Sequence, residues 1–439
     1  GISLIIALDC GIKAIDKVAY AKQLGIDFII CDHHLPGDML PDAVAVLDPK
    51  RNDCAYPYKE LSGCGIGLKL VQALCKYRNL DDTEWKSLLD LTAVSIGADI
   101  VPVTGENRIL AFYGLKRINE KPRPGFRLLA ELAGKAGKNM SITDVVFMIG
   151  PRINAAGRMA HGKHAVELLT SEDISRLEIL SQEINQLNTD RKDLDSQITQ
   201  DALAMIINAK EENSYSTVLF DEKWHKGVIG IVASRLIENH YRPTIVFTES
   251  NGHLAGSARS VKGFDIYKAL DACKDILMQF GGHMYAAGMT LEKDRFHDFK
   301  LRFEEVVRAT IPEECRKPVL DIDLECSLHD LDERFYRILK QFEPYGPDNL
   351  PPNLVSHYLV DTGFSKIVGQ TGEHLRVVVK DPETGKAMNG IAFRMADKLP
   401  LLQSGQPVSV AYHLEENEFN GQVSLQLHVK DIRLTADAK

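Results

Sequence analysis

No stretch of the 439 residues approaches the ~18–20 consecutive apolar residues of a membrane span, so no spanning helix is expected within this sequence. The eight cysteines (10, 31, 54, 64, 75, 273, 315 and 326) include no C-x-x-C pair. That argues against a zinc site or a disulfide framework, and the thiols read as reduced packing residues of a cytosolic protein. An excess of positive charge is missing as well. The net charge of −9 lacks the basic footprint usual in nucleic-acid binding. The charge is uneven, however: residues 121–164 carry eight Lys and Arg against two acids, Glu131 and Asp144. Such a stretch suits either a solvated loop region or a wall that tracks phosphates. What is present is ordinary for a soluble protein, 44% hydrophobic and 26% charged, in a chain long enough for about two to four domains.

The most informative stretch is Phe28-Ile29-Ile30-Cys31-Asp32-His33-His34. Four apolar residues bounded by polar ones predict a buried strand. Side chains just past its C-terminal end face the crevice where open α/β sheets bind ligands. An acid and two neutral imidazoles in one place suit manganese, zinc or iron. Upstream, Ser3 to Leu8 reads as an apolar strand ending in Asp9, and Lys13 to Leu24 shows helical spacing. With a strand over Ile26 to Cys31, this is a βαβ unit whose strands are parallel neighbours. Asp9 and Asp32-His33-His34 therefore leave one sheet edge, which makes Asp9 a candidate metal ligand.

Further along, Val44 to Leu47 gives a third strand. The glycine-rich Ser62-Gly63-Cys64-Gly65-Ile66-Gly67 fits neither the dinucleotide nor the P-loop pattern and predicts a tight entry to a helix starting near Gly65. A helix from about Glu84 to Ile96 delivers Asp99, and Pro102 prevents continuation. The small residues and two arginines of Pro151 to Arg158 suit domain docking or a fork onto phosphate. Ser171 to Ala209 predicts a long amphipathic helix packed on one domain rather than a coiled coil. Strands over Thr217 to Phe220 and Thr244 to Phe247 flank a helix over Val228 to Glu238. From Lys317 onward short strands are expected over Val319 to Leu324, Tyr358 to Phe364, Leu375 to Val379, Ala387 to Phe393, Val408 to Leu414 and Val423 to Leu434, with Leu425, Leu427 and Val429 alternating. Five or so such strands suit a small barrel, and Phe364, Phe393, Tyr412 and Phe419 are available for stacking.

Asp32-His33-His34 resembles the signature of the DHH phosphoesterase superfamily. Three later motifs narrow the likeness: Gly150-Pro151-Arg152-Ile153-Asn154-Ala155-Ala156-Gly157-Arg158, the run from His225-Lys226-Gly227 to Ser234-Arg235, and Gly281-Gly282-His283-Met284-Tyr285-Ala286-Ala287-Gly288. Together they resemble the RecJ family of single-strand-specific exonucleases. The resemblance implies an α/β multidomain chain: a parallel-sheet DHH phosphoesterase domain over 1–165, a connecting helix over 166–212, an α/β DHH-associated domain over 213–316 and a C-terminal β-barrel, an OB-fold, over 317–439. It implies 5′→3′ hydrolysis of single-stranded DNA in recombination and repair, by a two-metal mechanism with manganese or magnesium ions about 3.5–4 Å apart. Asp9, His33, His34 and Asp99 would be metal ligands. Asp32, His33 and His34 form the catalytic group, with Asp32 either a ligand or the residue that orients one. Arg259, Gly281, Gly282 and His283 would hold substrate phosphate. A single-strand-binding protein and a helicase are the implied partners, with a monomeric state and a cytoplasmic location.

One departure stands out. The family also carries an Asp-x-Asp motif on a strand ahead of the one ending in Asp9, and none precedes Asp9 here. The expectation is a metal site short of two carboxylates and a chain that does not by itself hydrolyse DNA. Alternatives are a nanoRNA or cyclic-dinucleotide phosphodiesterase, an inorganic pyrophosphatase of the same superfamily, and a non-catalytic single-strand-binding relative.

Overall fold

The computed structural model describes residues 1–159, 161–211, 213–419 and 421–437. The chain divides into two compact units, one of residues 1–121, 139–146 and 320–439 and the other of 122–138 and 147–319.

The first unit opens on a parallel sheet of β1 (Leu4–Leu8), β2 (Asp27–Cys31) and β3 (Ala45–Leu47), in that order, with helix α1 (Ile15–Gln23) crossing between the first two. The register Leu8↔Cys31↔Leu47 brings all three strand ends to one level. Ile30 and Cys31 of the central strand are fully buried, whereas Leu4, Ile6 and Leu8 of edge strand β1 are half exposed. Helices α2 (Gly63–Arg78), α3 (Leu89–Ala98) and α4 (Gly105–Glu120) supply most of a core in which Ile66, Ile96, Val103 and Ala111 pack with Cys31. The helix expected over 84–96 is broken. A single turn, Thr83–Lys86, precedes α3, and the Ser87 hydroxyl donates to Glu84 O at 2.7 Å, a local bond that competes with helix continuation.

The second unit holds a five-stranded sheet of β4 (Thr217–Phe220), β5 (Thr244–Ser250), β6 (His253–Arg259), β7 (Gln279–His283) and β8 (Ala286–Leu291), ordered β4-β5-β6-β8-β7. β5 and β6 are joined by Asn251 and Gly252, both at positive φ, the two-residue turn that matches strand twist. Around it lie α5 (Gly150–Met159), the 35-residue α6 (Ile174–Asn208) and α7 (Ile229–Asn239). The buried stripe of α6 is apolar at Leu177, Leu180 and Ile184, polar at Asn188, Arg191 and Asp195, and apolar again at Ile198, Ala202 and Ile206.

Returning to the first unit, β9 (Leu324–Glu325), β10 (Leu354–Asp361), β11 (Lys366–Val368), β12 (His374–Lys380), β13 (Ala387–Ala392), β14 (Val408–Phe419) and β15 (Gln422–Leu434) form the third sheet. Its order β12-β13-β15-β14-β10 closes through a β10–β12 pairing, and α8 (Leu399–Gln403) lies between β13 and β14. This is the five-stranded OB-fold. Leu375, Val377 and Val379 alternate into its core. Two strand expectations shift. Of the run from Val319, only Leu324 and Glu325 pair with a neighbouring strand. β10 spans Leu354–Asp361 rather than Tyr358 to Phe364, and its pairing with β14 shifts register between Ser356 and Leu359, where Tyr358 is left-handed. Phe364 and Phe393 are exposed, Tyr412 is fully buried with its hydroxyl 2.7 Å from Ser356 Oγ, and the Phe419 side chain lies outside the described residues. Among the described residues no helix is long and apolar enough to cross a membrane.

Candidate metal centre and anion floor

Each strand of the parallel sheet is followed directly by an aspartate. After β1 comes Asp9, held in the left-handed region at φ 62 with its amide on Cys31 O at 2.8 Å. After β2 comes Asp32, buried and fully engaged. Its Oδ2 accepts the Ile12 amide at 2.9 Å, and its Oδ1 accepts the His33 amide at 2.8 Å and lies 2.7 Å from His34 Nδ1. Burial alone would raise its pKa; the bonds from Ile12, His34 and His33 outweigh that and hold the carboxyl below its ordinary value. Asp32 is therefore held as a carboxylate, with Oδ1 against the His34 ring and the His33 backbone.

His33 is 7% exposed, and its Nε2 lies 3.1 Å from Asp9 Oδ1 and 3.3 Å from Asp99 Oδ2. Its pKa is raised, first by the hydrogen bond to Asp9. Asp99 ends α3, and burial pushes its carboxyl up. Ligand atoms of Asp9, His33 and His34 all fall within 4.8 Å of one another. Two ligands at ~2.1 Å from one ion are themselves about 3–3.4 Å apart, so the His33–Asp9 and His33–Asp99 spacings fit a shared cation. His33 Nδ1 is buried without a partner among the described residues.

The third strand end was not singled out from the sequence. Asp48 follows β3, is 2% exposed, accepts the Lys50 amide at 2.8 Å through Oδ1, and leaves Oδ2 buried with no partner among the described residues. Burial, with Asp32 nearby, pushes its carboxyl up. The signal was available, because it repeats the strand-then-aspartate pattern of positions 9 and 32. The glycine-rich stretch also acquires a purpose. α2 starts at Gly63, with Ser62 Oγ accepting the Gly65 amide at 3.1 Å. A Cβ at Gly63 would collide with the Asp9 carboxylate. The helix N-terminus thus comes right up to an anionic side chain, where its dipole favours negative charge.

The predicted phosphate contacts lie in the second unit and form a different kind of surface. Gly281, Gly282 and His283 are the end of β7. Glycine runs carry little strand preference in sequence, but Gly282 at φ 152 leaves no room for a Cβ beside Ala286 and Ala287, so the tight pairing requires it. The register aligns Arg259, Ala286 and His283 on one rung of β6-β8-β7, and Ser257, Gly288 and Gly281 two residues away on the same face. Small residues therefore pave the floor between Arg259 and His283. β7 is an edge strand, so part of its backbone N–H set faces away from the sheet. Arg259 donates to Ser257 Oγ at 3.1 Å and Ala258 O at 2.7 Å; burial, then the charge of Arg158, lowers its pKa. Arg158 Nη1 donates to Gly227 O at 3.0 Å. Arg191 senses the charges of Arg158 and Arg235, and Asp195 pairs with Arg235 at 2.7 Å.

A DHH-type parallel sheet, an α/β domain with a Gly-Gly-His strand, and an OB-fold define the class, and family models match in that order: the DHH family N-terminal domain over residues 3–96, the DHHA1 domain over 212–309 and the RecJ OB domain over 322–431. The single-stranded-DNA-specific exonuclease RecJ of Salmonella typhimurium is 35% identical over 98% of this chain and 77% of its own length. The chain belongs to the RecJ family. It is 37% identical to the Bacillus subtilis protein of the same description, again over 98% of the chain, but spans about half (54%) of that relative. The crystal structure of RecJ from Thermus thermophilus in complex with Mn2+ superposes with a TM-score of 0.84 at 30% identity, covering 98% of this chain and 62% of that one; a second structure of that protein is a Mg2+ complex.

Proposed function

We propose that the chain carries the hydrolytic core of a metal-dependent 5′→3′ exonuclease acting on single-stranded DNA in recombination and repair. The observation that carries the reading is the convergence of Asp9, His33 and His34 within 4.8 Å at the end of a parallel sheet, with Asp99 3.3 Å from His33. Relatives whose alignments cover 98% of this chain, at 35–37% identity, are described as single-stranded-DNA-specific exonucleases, and the Thermus protein was crystallised with Mn2+ and with Mg2+. Asp9, His33, His34 and Asp99 would hold divalent ions. Two such ions would activate water and stabilise the leaving oxygen. Asp32 holds His34 through Nδ1, leaving Nε2 free to bind. Arg259, the Gly281 and Gly282 amides and His283 would grip substrate phosphate, with Arg158 as a further cation. The OB-fold would hold the single strand downstream. Domain limits near residues 165, 212 and 316 belong to this reading, as do a monomeric state, a cytoplasmic location, and a single-strand-binding protein and a helicase as partners.

The test is nucleotide release by the whole gene product from labelled single-stranded DNA, duplex DNA, short RNA, a cyclic dinucleotide and pyrophosphate, with and without Mn2+. Mn2+-dependent release from the 5′ ends of single strands is expected. Preference for the dinucleotides or pyrophosphate, or binding of single strands without hydrolysis under any divalent ion, would overturn the assignment.

A further inference from the structure

The loop that presents Asp99 is held by the segment that leads into the OB-fold. Asp99 is followed by Ile100 at φ 56, a left-handed conformation that a β-branched residue adopts only where its surroundings impose it. Three residues on, fully buried Val103 donates its amide to Pro347 O at 2.8 Å. Gly346 sits so close that a Cβ there would collide with the Val103 side chain. Arg108, in the first turn of α4 just beyond the loop, donates to the carbonyls of Gln341 (2.7 Å), Phe342 (3.1 Å) and Glu343 (3.0 Å). Asn349 folds the segment on itself, its amide donating to Phe342 O and Pro344 O at 2.9 Å each. Pro102 O accepts from Asn107 Nδ2 at 2.9 Å, so the loop is gripped from its own domain as well.

We propose that residues 341–349 are a working part of the metal centre: by clamping Val103 they keep Ile100 left-handed and so hold the Asp99 carboxylate against His33. The inference rests on the reading of Asp99 as a metal ligand. Arg108 and Gly346 are then positioning residues, and the barrel contributes to metal affinity as well as to any grip on DNA. If the segment were only glue between domains, cutting its bonds would lower thermal stability and leave metal affinity at low temperature unchanged.

The experiment uses the full chain and its Arg108→Ala, Gly346→Ala, Asp99→Asn and Val377→Ala variants. Val377 lies in the barrel core, away from the clamp, and serves as the control for general destabilisation. Two quantities are read well below the melting temperature: Mn2+ affinity by calorimetry, and hydrogen exchange of amides 99–103 without metal. Arg108→Ala and Gly346→Ala should each weaken Mn2+ binding about tenfold or more, as losing an outer partner of a ligand does. They should also speed exchange at 99–103, whereas Val377→Ala should do neither. Arg108→Lys should restore part of both. Combined with Asp99→Asn, Arg108→Ala should add little further loss of affinity. Unchanged exchange at 99–103 in both clamp variants would overturn the inference. So would normal Mn2+ affinity in them while Asp99→Asn is weakened. Normal affinity in Asp99→Asn would instead remove Asp99 from the ligand set and overturn the parent reading.

Discussion

The acidic sheet edge and the arginine-bearing sheet handle charge in opposite ways. At the edge, Asp32 is buried but both its oxygens are engaged, and Asp9 and Asp99 lean on His33, whose pKa rises to meet them. Around the five-stranded sheet, Arg158 on α5 acts on both Arg191 of α6 and Arg259 of β6, Arg235 of α7 acts on Arg191, and Asp195 is the one carboxylate paired among them in the described contacts. The first region is short of positive charge and the second of negative. Under the proposed function the two regions would play different parts, the acids taking up cations and the arginines taking up phosphate, and the contrast makes those parts separable by experiment.

The largest expected effect breaks the acidic region alone. His33→Ala should cost more than the ~10–100-fold in Mn2+ affinity typical of losing an outer partner, because His33 is the residue on which both carboxylates converge. Binding of a non-hydrolysable single strand in EDTA should be unchanged; a parallel loss there would mean that the two regions are not separable. Conversely, Arg259→Ala should weaken that strand by about 1.5–3 kcal/mol, the usual value of a charge-assisted hydrogen bond, and leave Mn2+ calorimetry untouched. Next, Asp48→Ala tests whether the buried acid beyond β3 supports the histidine. An affinity for Mn2+ reduced by about 10–100-fold is expected. Full affinity would make Asp48 a matter of folding only.

The smallest effect sharpens the comparison within one residue type. His33 is pushed up by Asp9, but His413 on β14 is pushed down to about 4 by burial, with Lys430 and His428 adding to it. In metal-free protein the His33 contribution to stability is complete below the ordinary histidine value and is lost as pH rises through its raised one. The His413 contribution has the reverse sign. It is complete above pH 6.5 and is lost as pH falls toward 4, because the unfolded chain then takes up a proton that the barrel refuses. Melting curves of His413→Gln should therefore show a shallower loss between pH 6.5 and 4 than the unaltered chain. Equal slopes would place the proton elsewhere.

Much of this was legible in the sequence, and the gaps have physical causes. A strand followed by an acid placed Asp9 beside the histidines without any contact being known. The same pattern recurs at Asp48 after the third strand, but Pro49 and Lys50 follow it rather than histidines, so the sequence has no second ligand type there to mark it. Fold class followed from motif order and from the alternation of Leu425, Leu427 and Val429. The polar middle of α6 did not, because Asn188, Arg191 and Asp195 occupy stripe positions that hydropathy marks as gaps. Nor did the clamp on Val103, since nothing local to positions 103 or 346 announces a partner more than two hundred residues away.

The bend at Asp9 has a consequence for how this site could be lost in descent. Asparagine shares with aspartate an ease in the left-handed region that most side chains lack. Asp9→Asn would keep the turn after β1, the pairing to Cys31 and the fit against Gly63 while removing one negative charge. A copy altered in this way would keep its shape while losing a proposed ligand, so under the proposed function an intact fold does not by itself report an intact metal centre.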